Sequence, residues 1–151
     1  MIDPERVQAL LGQIAEAQEK AARLGELPEQ VFLDDYRNTE SAKYLLIVAV
    51  EAAIDLCQHL VARSGGRSPT DYADCFTLLQ ELSILPADLA ERLRRMARFR
   101  NLLVHLYWKV DNRRVYRVLR EDLDDLRLFR DAIARWVEGK IRERDGRERW
   151  P

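Results

Sequence analysis

Between Pro28 and Arg63 the chain carries a helical pattern whose centre, Tyr44-Leu45-Leu46-Ile47-Val48-Ala49-Val50, is apolar on nearly every face. A helix of that kind has no solvent side and must be covered from more than one direction. In a chain of 151 residues we expect a second protomer to supply part of that cover. The run continues through Ala52 to Ile54, but Glu51 breaks it and Asp55 ends it. It falls short of the roughly 20 apolar residues that cross a bilayer, so a buried helix is expected and no membrane span.

The flanking segments read as the wrapping. Asp3 as N-cap and Pro4 at the first helical position open a first helix, in which Val7, Leu10, Leu11, Ile14, Ala21 and Leu24 recur at helical spacing until Gly25 stops it. Pro28 opens the long second helix, which ends at Ser64-Gly65-Gly66. Ser68-Pro69-Thr70-Asp71 restarts helix, with Phe76, Leu78, Leu79 and Leu82 as a short stripe. Leu85-Pro86 interrupts again, and a fourth helix from Ala87 turns Leu89, Leu93, Met96, Ala97, Leu103 and Leu106 inward, with Met96 as core filler.

Val110-Asp111-Asn112-Arg113 reads as a turn, and Val115 to Leu119 as either one helical turn or an extended linker. A last helix runs from about Glu121 to Arg144, and Asp145 to Pro151 is a charged tail expected to fray. Neither strand-like alternation nor an internal repeat is present, and six glycines and five prolines argue against a loop-rich β fold. The expected architecture is all-α: one domain over 1–151, an up-and-down bundle of four to five helices that dimerises.

Net charge is −1, which alone excludes nothing, but the distribution is uneven. From Arg92 to Arg120 there are nine arginines and Lys109 against Asp111 alone. A basic segment on an acidic body fits a phosphate-bearing partner; arginines that merely solvate one helix face would read the same way. Cys57 and Cys75 lack metal-type spacing, and the N-terminus lacks the basic-then-apolar order of a signal peptide. Reduced thiols in the cytoplasm are expected.

Within the basic segment, Arg100-Asn101-Leu102-Leu103-Val104-His105-Leu106-Tyr107 gathers four recognition-capable side chains, one of them among only two histidines. Asn101 and His105 are four apart on a helix and can touch, so the amide can set the imidazole's tautomer and tilt. Arg100 and Tyr107, seven apart, share a face. Arg100 and His105 are separated by about 140° on an ideal helix, so they converge only if the arginine curls over, the helix loosens, or two copies meet across an axis. A guanidinium that forks onto phosphate and an imidazole that exchanges protons near neutrality suit RNA cleavage by its own 2′-hydroxyl. The same residues also fit a capping histidine beside a surface arginine.

These residues resemble the R-x4-H-x-Y signature of HEPN-domain toxins of the HepT type. Tyr44 to Leu56 resembles that family's central helix, and Asp71-Tyr72-Ala73-Asp74-Cys75-Phe76, Leu85-Pro86 and Val115-Tyr116-Arg117-Val118-Leu119 fall at matching places. The resemblance covers about residues 5 to 140. It implies a dimeric, all-helical, metal-independent endoribonuclease, the toxin of a type VII-like toxin–antitoxin pair, with no cofactor. It implies further that Arg100 holds the scissile phosphate, His105 is the acid/base and Asn101 supports them. The implied partner is a minimal nucleotidyltransferase that silences the toxin by adenylylating Tyr107. Phosphodiester charge placed beside Arg100 would occupy its fork and repel substrate. Two other readings stand beside this one: a non-catalytic helical module that regulates a nucleotidyltransferase, and a plain scaffold dimer.

Glu51, Asp55 and His59 form one polar stripe on the central helix. They read as a metal site needing a fourth group, as a source of a carboxylate that pairs with Arg100 or a neighbour such as Arg98, or as a solvated edge. Cys57 and His59, two apart, point to different faces and do not make a nucleophile–base pair. Trp108, Trp136 and Trp150 read as packing or tail residues, with Trp108 placed to stack on a base. Gly65-Gly66 lacks the lysine and hydroxyl of a phosphate loop.

Overall fold

The computed structural model describes residues 2–148. Over these the chain forms seven α-helices and one 3-10 turn: α1 (Pro4–Gly25), α2 (Glu29–Asp34), α3 (Tyr36–Arg63), α4 (Tyr72–Glu81), α5 (Ala87–His105), the 3-10 turn (Tyr107–Lys109), α6 (Asn112–Glu121) and α7 (Asp124–Glu148). No strand occurs among the described residues.

The central helix α3 packs against α1, α2, α4, α5 and α6 of its own chain. Leu46, Ala49, Val50, Ala53, Leu56 and Leu60 are buried along it, each fully buried leucine favouring the fold by about 1.5–3 kcal/mol over exposure. Much of the cover expected from a second protomer therefore comes from within the chain. What stays exposed on and beside α3 is Tyr36, Tyr44, Val104, Leu106 and Trp108. By length and composition α3 could cross a membrane, with a mean hydropathy of 1.8, yet 61% of that stretch is buried; it is the core helix of the bundle.

Two more helices are present than the hydrophobic pattern implies. The segment from Pro28 is interrupted at Asp35, whose backbone is extended (φ −118°, ψ 112°) while its side chain accepts from the Arg37 N–H as the N-cap of α3. A helix-capping carboxylate competes with the helix interior for backbone donors, and one residue suffices to separate α2 from α3. The Val115–Leu119 segment is neither a single turn nor a linker. Asp111 caps it by accepting from Arg113 N–H at 2.9 Å, and Val115, Val118 and Leu119 bury one face of the ten-residue α6.

Gly25 ends α1, but not by adopting a left-handed conformation. A Cβ there would meet Leu119 Cβ at 3.2 Å, so the missing side chain lets α6 lie against the end of α1. Tyr116 and Arg120 secure the contact by donating to the carbonyls of Leu27 (2.6 Å) and Gly25 (3.0 Å). The positive-φ glycine is Gly65 (φ 72°), directly after the Ser64 cap of α3. At the other end, α7 continues helically through Asp145 to Glu148, where fraying was expected; the rest of the expected tail, with Trp150, lies outside the described residues.

Candidate functional site

α3 and α5 run antiparallel. Arg100 meets Glu51, and Tyr107, seven residues later, meets Glu40, eleven residues earlier. The R-x4-H-x-Y segment thus lies along three turns of α3, one carboxylate at each end.

At the first end, Arg100 is largely buried, its side chain 12% exposed. Its Nη2 donates to Glu51 Oε1 at 2.5 Å and its Nη1 to Asn101 Oδ1 at 3.0 Å. The guanidinium lies 5.3 Å from the Tyr72 ring centroid, a cation–π contact that holds its plane. Its Nε is buried without a partner, an unusual state for a charged donor. Of the alternatives open for the Glu51–Asp55–His59 stripe, the carboxylate–arginine pair is the one formed.

The other two members of the stripe go elsewhere. Asp55 is exposed and has no hydrogen bond or ion pair among the described residues. His59 is buried, and its Nε2 accepts from the Asp3 N–H at 3.2 Å. Burial, then the charges of Arg63 and Arg6, push its pKa down, so it is a neutral acceptor that fixes the entry to α1. No group of three metal-ligating side chains is gathered among the described residues.

At the second end, α5 stops at His105. Leu106 leaves the helix (φ −131°, ψ 39°) and a 3-10 turn begins at Tyr107. Two expectations that assume a continued helix change accordingly. Leu106 is 37% exposed and does not line the core, and Tyr107 lies beyond the end of α5, though like Arg100 it turns toward α3. It swings back onto α3, where its Oη donates to Glu40 Oε2. Lys43, buried on α3, sets its Nζ 4.4 Å from the Tyr107 ring centroid and 3.7 Å from Glu40 Oε1. Burial first, and then the Glu40 carboxylate, push the phenol up to about 12.

Between the two ends, His105 is exposed and has no hydrogen-bond or ion-pair partner among the described residues. The expected Asn101–His105 contact is absent, the amide oxygen being engaged by Arg100. The imidazole is thus exposed at the end of α5, while the Arg100 guanidinium is turned onto Glu51 of α3.

The basic segment divides into used and unused charge. Arg92 donates to Asp125 at 2.9 Å, Arg95 to Glu91 at 2.7 Å and Arg94 to Gln80 at 3.3 Å, while Arg114 stacks on Phe99 at 4.8 Å. Arg98, Lys109, Arg113 and Arg117 are exposed and their side chains make no such contact among the described residues. Much of the segment is therefore architecture, and this remainder is available to phosphates. Cys57 and Cys75 are both free and buried. Burial pushes the Cys57 thiol far up, so it is no nucleophile. Trp108 is 75% exposed.

Glu40, Lys43 and Tyr72 do not emerge from the motif. Lys43 alone left a trace, as a lysine at the edge of the apolar stretch with an acid one turn before it.

Comparisons with known proteins agree on the family. A protein of Archaeoglobus fulgidus, named as a candidate RNase, is 38% identical over 88 residues, or 58% of this chain. The match spans 64% of that relative, so this chain accounts for less than two thirds of its length. The mRNA nuclease HepT of Shewanella oneidensis is 29% identical over 68% of this chain and 77% of its own. Among solved structures, a tri-AMPylated Shewanella oneidensis HEPN toxin in complex with an MNT antitoxin superposes with a TM-score of 0.81. It shares 23% identity, with 87% of this chain and 98% of that one covered. The ribonuclease HepT-like family model matches residues 14–133, and the chain belongs to that family.

Proposed function

We propose that this chain is a metal-independent endoribonuclease, the toxin of a type VII-like toxin–antitoxin pair, acting on RNA in the cytoplasm. Arg100 binds a non-bridging oxygen of the scissile phosphate. His105 takes the 2′-hydroxyl proton as that oxygen attacks phosphorus, or returns a proton to the leaving 5′-oxygen, and Asn101 steadies the guanidinium. A second copy of the chain brings its own motif alongside, with Val104, Leu106 and Trp108 at the joint, so that two imidazoles divide the base and acid roles. A minimal nucleotidyltransferase silences the pair by adenylylating Tyr107.

The reading is carried by two residues of one helix: a positioned, largely buried Arg100 and, five residues on, an exposed His105 that has no other task among the described residues. Its test is incubation of the chain with single-stranded RNA in EDTA. Cleavage leaving 2′,3′-cyclic phosphate ends is expected, and His105→Ala is expected to lower it by at least about a thousandfold, in the range of a lost acid–base group. Loss of cleavage on chelation, or its survival in His105→Ala, overturns the proposal.

A second reading, a non-catalytic module that regulates a nucleotidyltransferase, is favoured by one observation: two donors of the Arg100 fork are already occupied by Glu51 and Asn101. Uncut RNA at every protein concentration would select it.

A further inference from the structure

The tyrosine of the motif docks on α3. A phenol is a weak nucleophile at neutral pH because almost none of it is ionised, and Tyr107 is more reluctant than most, burial and the neighbouring carboxylate favouring its neutral form. Any transfer onto its oxygen therefore needs a base that accepts the proton as the new bond forms. Such a base must lie within hydrogen-bond reach of Oη, and one group among the described residues does: Glu40 Oε2 accepts from Tyr107 Oη.

The same contact includes a cation. Lys43 is one turn along α3 from Glu40, its side chain 6% exposed. Its ammonium lies over the tyrosine ring, 4.4 Å from the centroid, and 3.7 Å from the other Glu40 oxygen. A buried ammonium against the ring favours the anionic phenolate as charge develops there. Its contact with the other Glu40 oxygen holds the carboxylate in place against the tyrosine. Neither residue makes any other hydrogen bond, ion pair or ring contact among the described residues, so the carboxylate–ammonium pair is dedicated to this side chain. It is not part of the Arg100–Glu51 end.

We propose that Glu40 is the general base for adenylylation of Tyr107, with Lys43 stabilising the phenolate, so that the modified chain supplies its own acceptor activation. The inference rests on the reading of Tyr107 as the modified residue. The phenol proton passes to Glu40 Oε2 while Tyr107 Oη bonds to the α-phosphorus of a nucleoside triphosphate. The bond from that phosphorus to the bridging oxygen of the β-phosphate breaks, and pyrophosphate departs with the electron pair. The partner enzyme supplies the triphosphate and its divalent cation.

The test is single-turnover labelling with ATP and Mg2+ of the chain co-purified with its nucleotidyltransferase, read by intact mass and peptide mapping. Glu40→Gln keeps an acceptor for the tyrosine hydrogen bond but cannot take the proton. It is expected to slow labelling by about a hundredfold or more, the scale of general-base catalysis, with the KM for ATP unchanged. Glu40→Asp is expected to restore the rate to within about tenfold of wild type, which a merely structural role would not predict. Lys43→Met, which keeps most of the buried volume, is expected to lower the rate about tenfold.

The outcomes separate the two levels of the argument. Labelling that persists in Tyr107→Phe, or no labelling of wild type, overturns the reading of Tyr107 and this inference with it. Labelling confined to Tyr107 but equally fast in Glu40→Gln overturns the base assignment alone. Thermal unfolding of each variant checks that Glu40→Gln is folded. As a partner-free measure, sulfonylation of Tyr107 by an aryl sulfonyl fluoride in the chain alone is expected to slow in Glu40→Gln; an unchanged rate counts against the assignment.

Discussion

Arg100 and Tyr107 both dock on a glutamate of α3, yet they dock differently. Arg100 is a permanent cation, 12% exposed, ion-paired with Glu51 and stacked on Tyr72; its contacts set direction and leave its charge intact. Tyr107 is a neutral phenol pressed against an acid and an ammonium, an arrangement that matters when its proton leaves. One end of the α3–α5 seam positions a charge, and under the proposal above the other creates one. His105 stands between them with no partner of its own among the described residues.

The sharpest way to break that comparison is to remove each end separately. Arg100→Ala is expected to cut RNA cleavage by about 10²–10³-fold, the scale of a lost transition-state charge donor. Tyr107→Phe removes the hydrogen bond to Glu40 while keeping the ring over Lys43, and is expected to cost cleavage less than about tenfold while abolishing modification. Initial rates on a labelled single-stranded RNA distinguish the two. Equal losses would mean that the seam acts as one unit.

Glu51 offers the next test. If it orients Arg100 rather than neutralising it, an acceptor in that position is what matters. Glu51→Ala is then expected to lower kcat/KM for RNA about tenfold, while Glu51→Gln, which retains an oxygen for Arg100 Nη2, stays within about threefold of wild type. Parallel losses in the two variants would instead assign the effect to charge.

The bundle was legible because hydrophobic period survives in long helices: α1, α3, α5 and α7 follow from spacing alone. What period misses is capping chemistry, since a single aspartate decides the outcome locally. Asp35 splits α2 from α3, and Asp111 commits a short, arginine-rich stretch to α6. The Arg100–Glu51 pair was among the alternatives, because an acidic stripe on the central helix had to face something. The Tyr107–Glu40 contact was not. Glu40 and Tyr107 are 67 positions apart in the chain, and the tyrosine reaches α3 from a 3-10 turn that begins after α5 has ended at His105. Helix continuation is the default assumption of periodic reading, and the site lies where that assumption fails.

A carboxylate–arginine pair away from the seam calibrates what such a contact is worth when no chemistry depends on it, and here the smallest effect is expected. Asp74 on α4 accepts from Arg67 at 2.6 and 2.9 Å and from the Thr70 N–H at 2.9 Å. Arg67 first, and then the Thr70 amide, hold its carboxyl well below the usual range. A folded-state pKa below the unfolded value means that the contribution is present above about pH 4, the ordinary aspartate value, and fades as pH falls toward the folded-state pKa. Asp74→Asn is therefore expected to lower Tm at pH 7 by no more than about 3 °C, since exposed pairs are well screened, and the gap to wild type is expected to close as the pH is taken from 4 to 2. RNA cleavage is expected to be unaffected. A gap that persists at pH 2 would assign Asp74 to packing rather than to charge. If Asp74→Asn and Glu51→Gln shift Tm alike and neither alters cleavage, the Glu51 pair is an ordinary surface contact, and the directional role given to it at the Arg100 end falls.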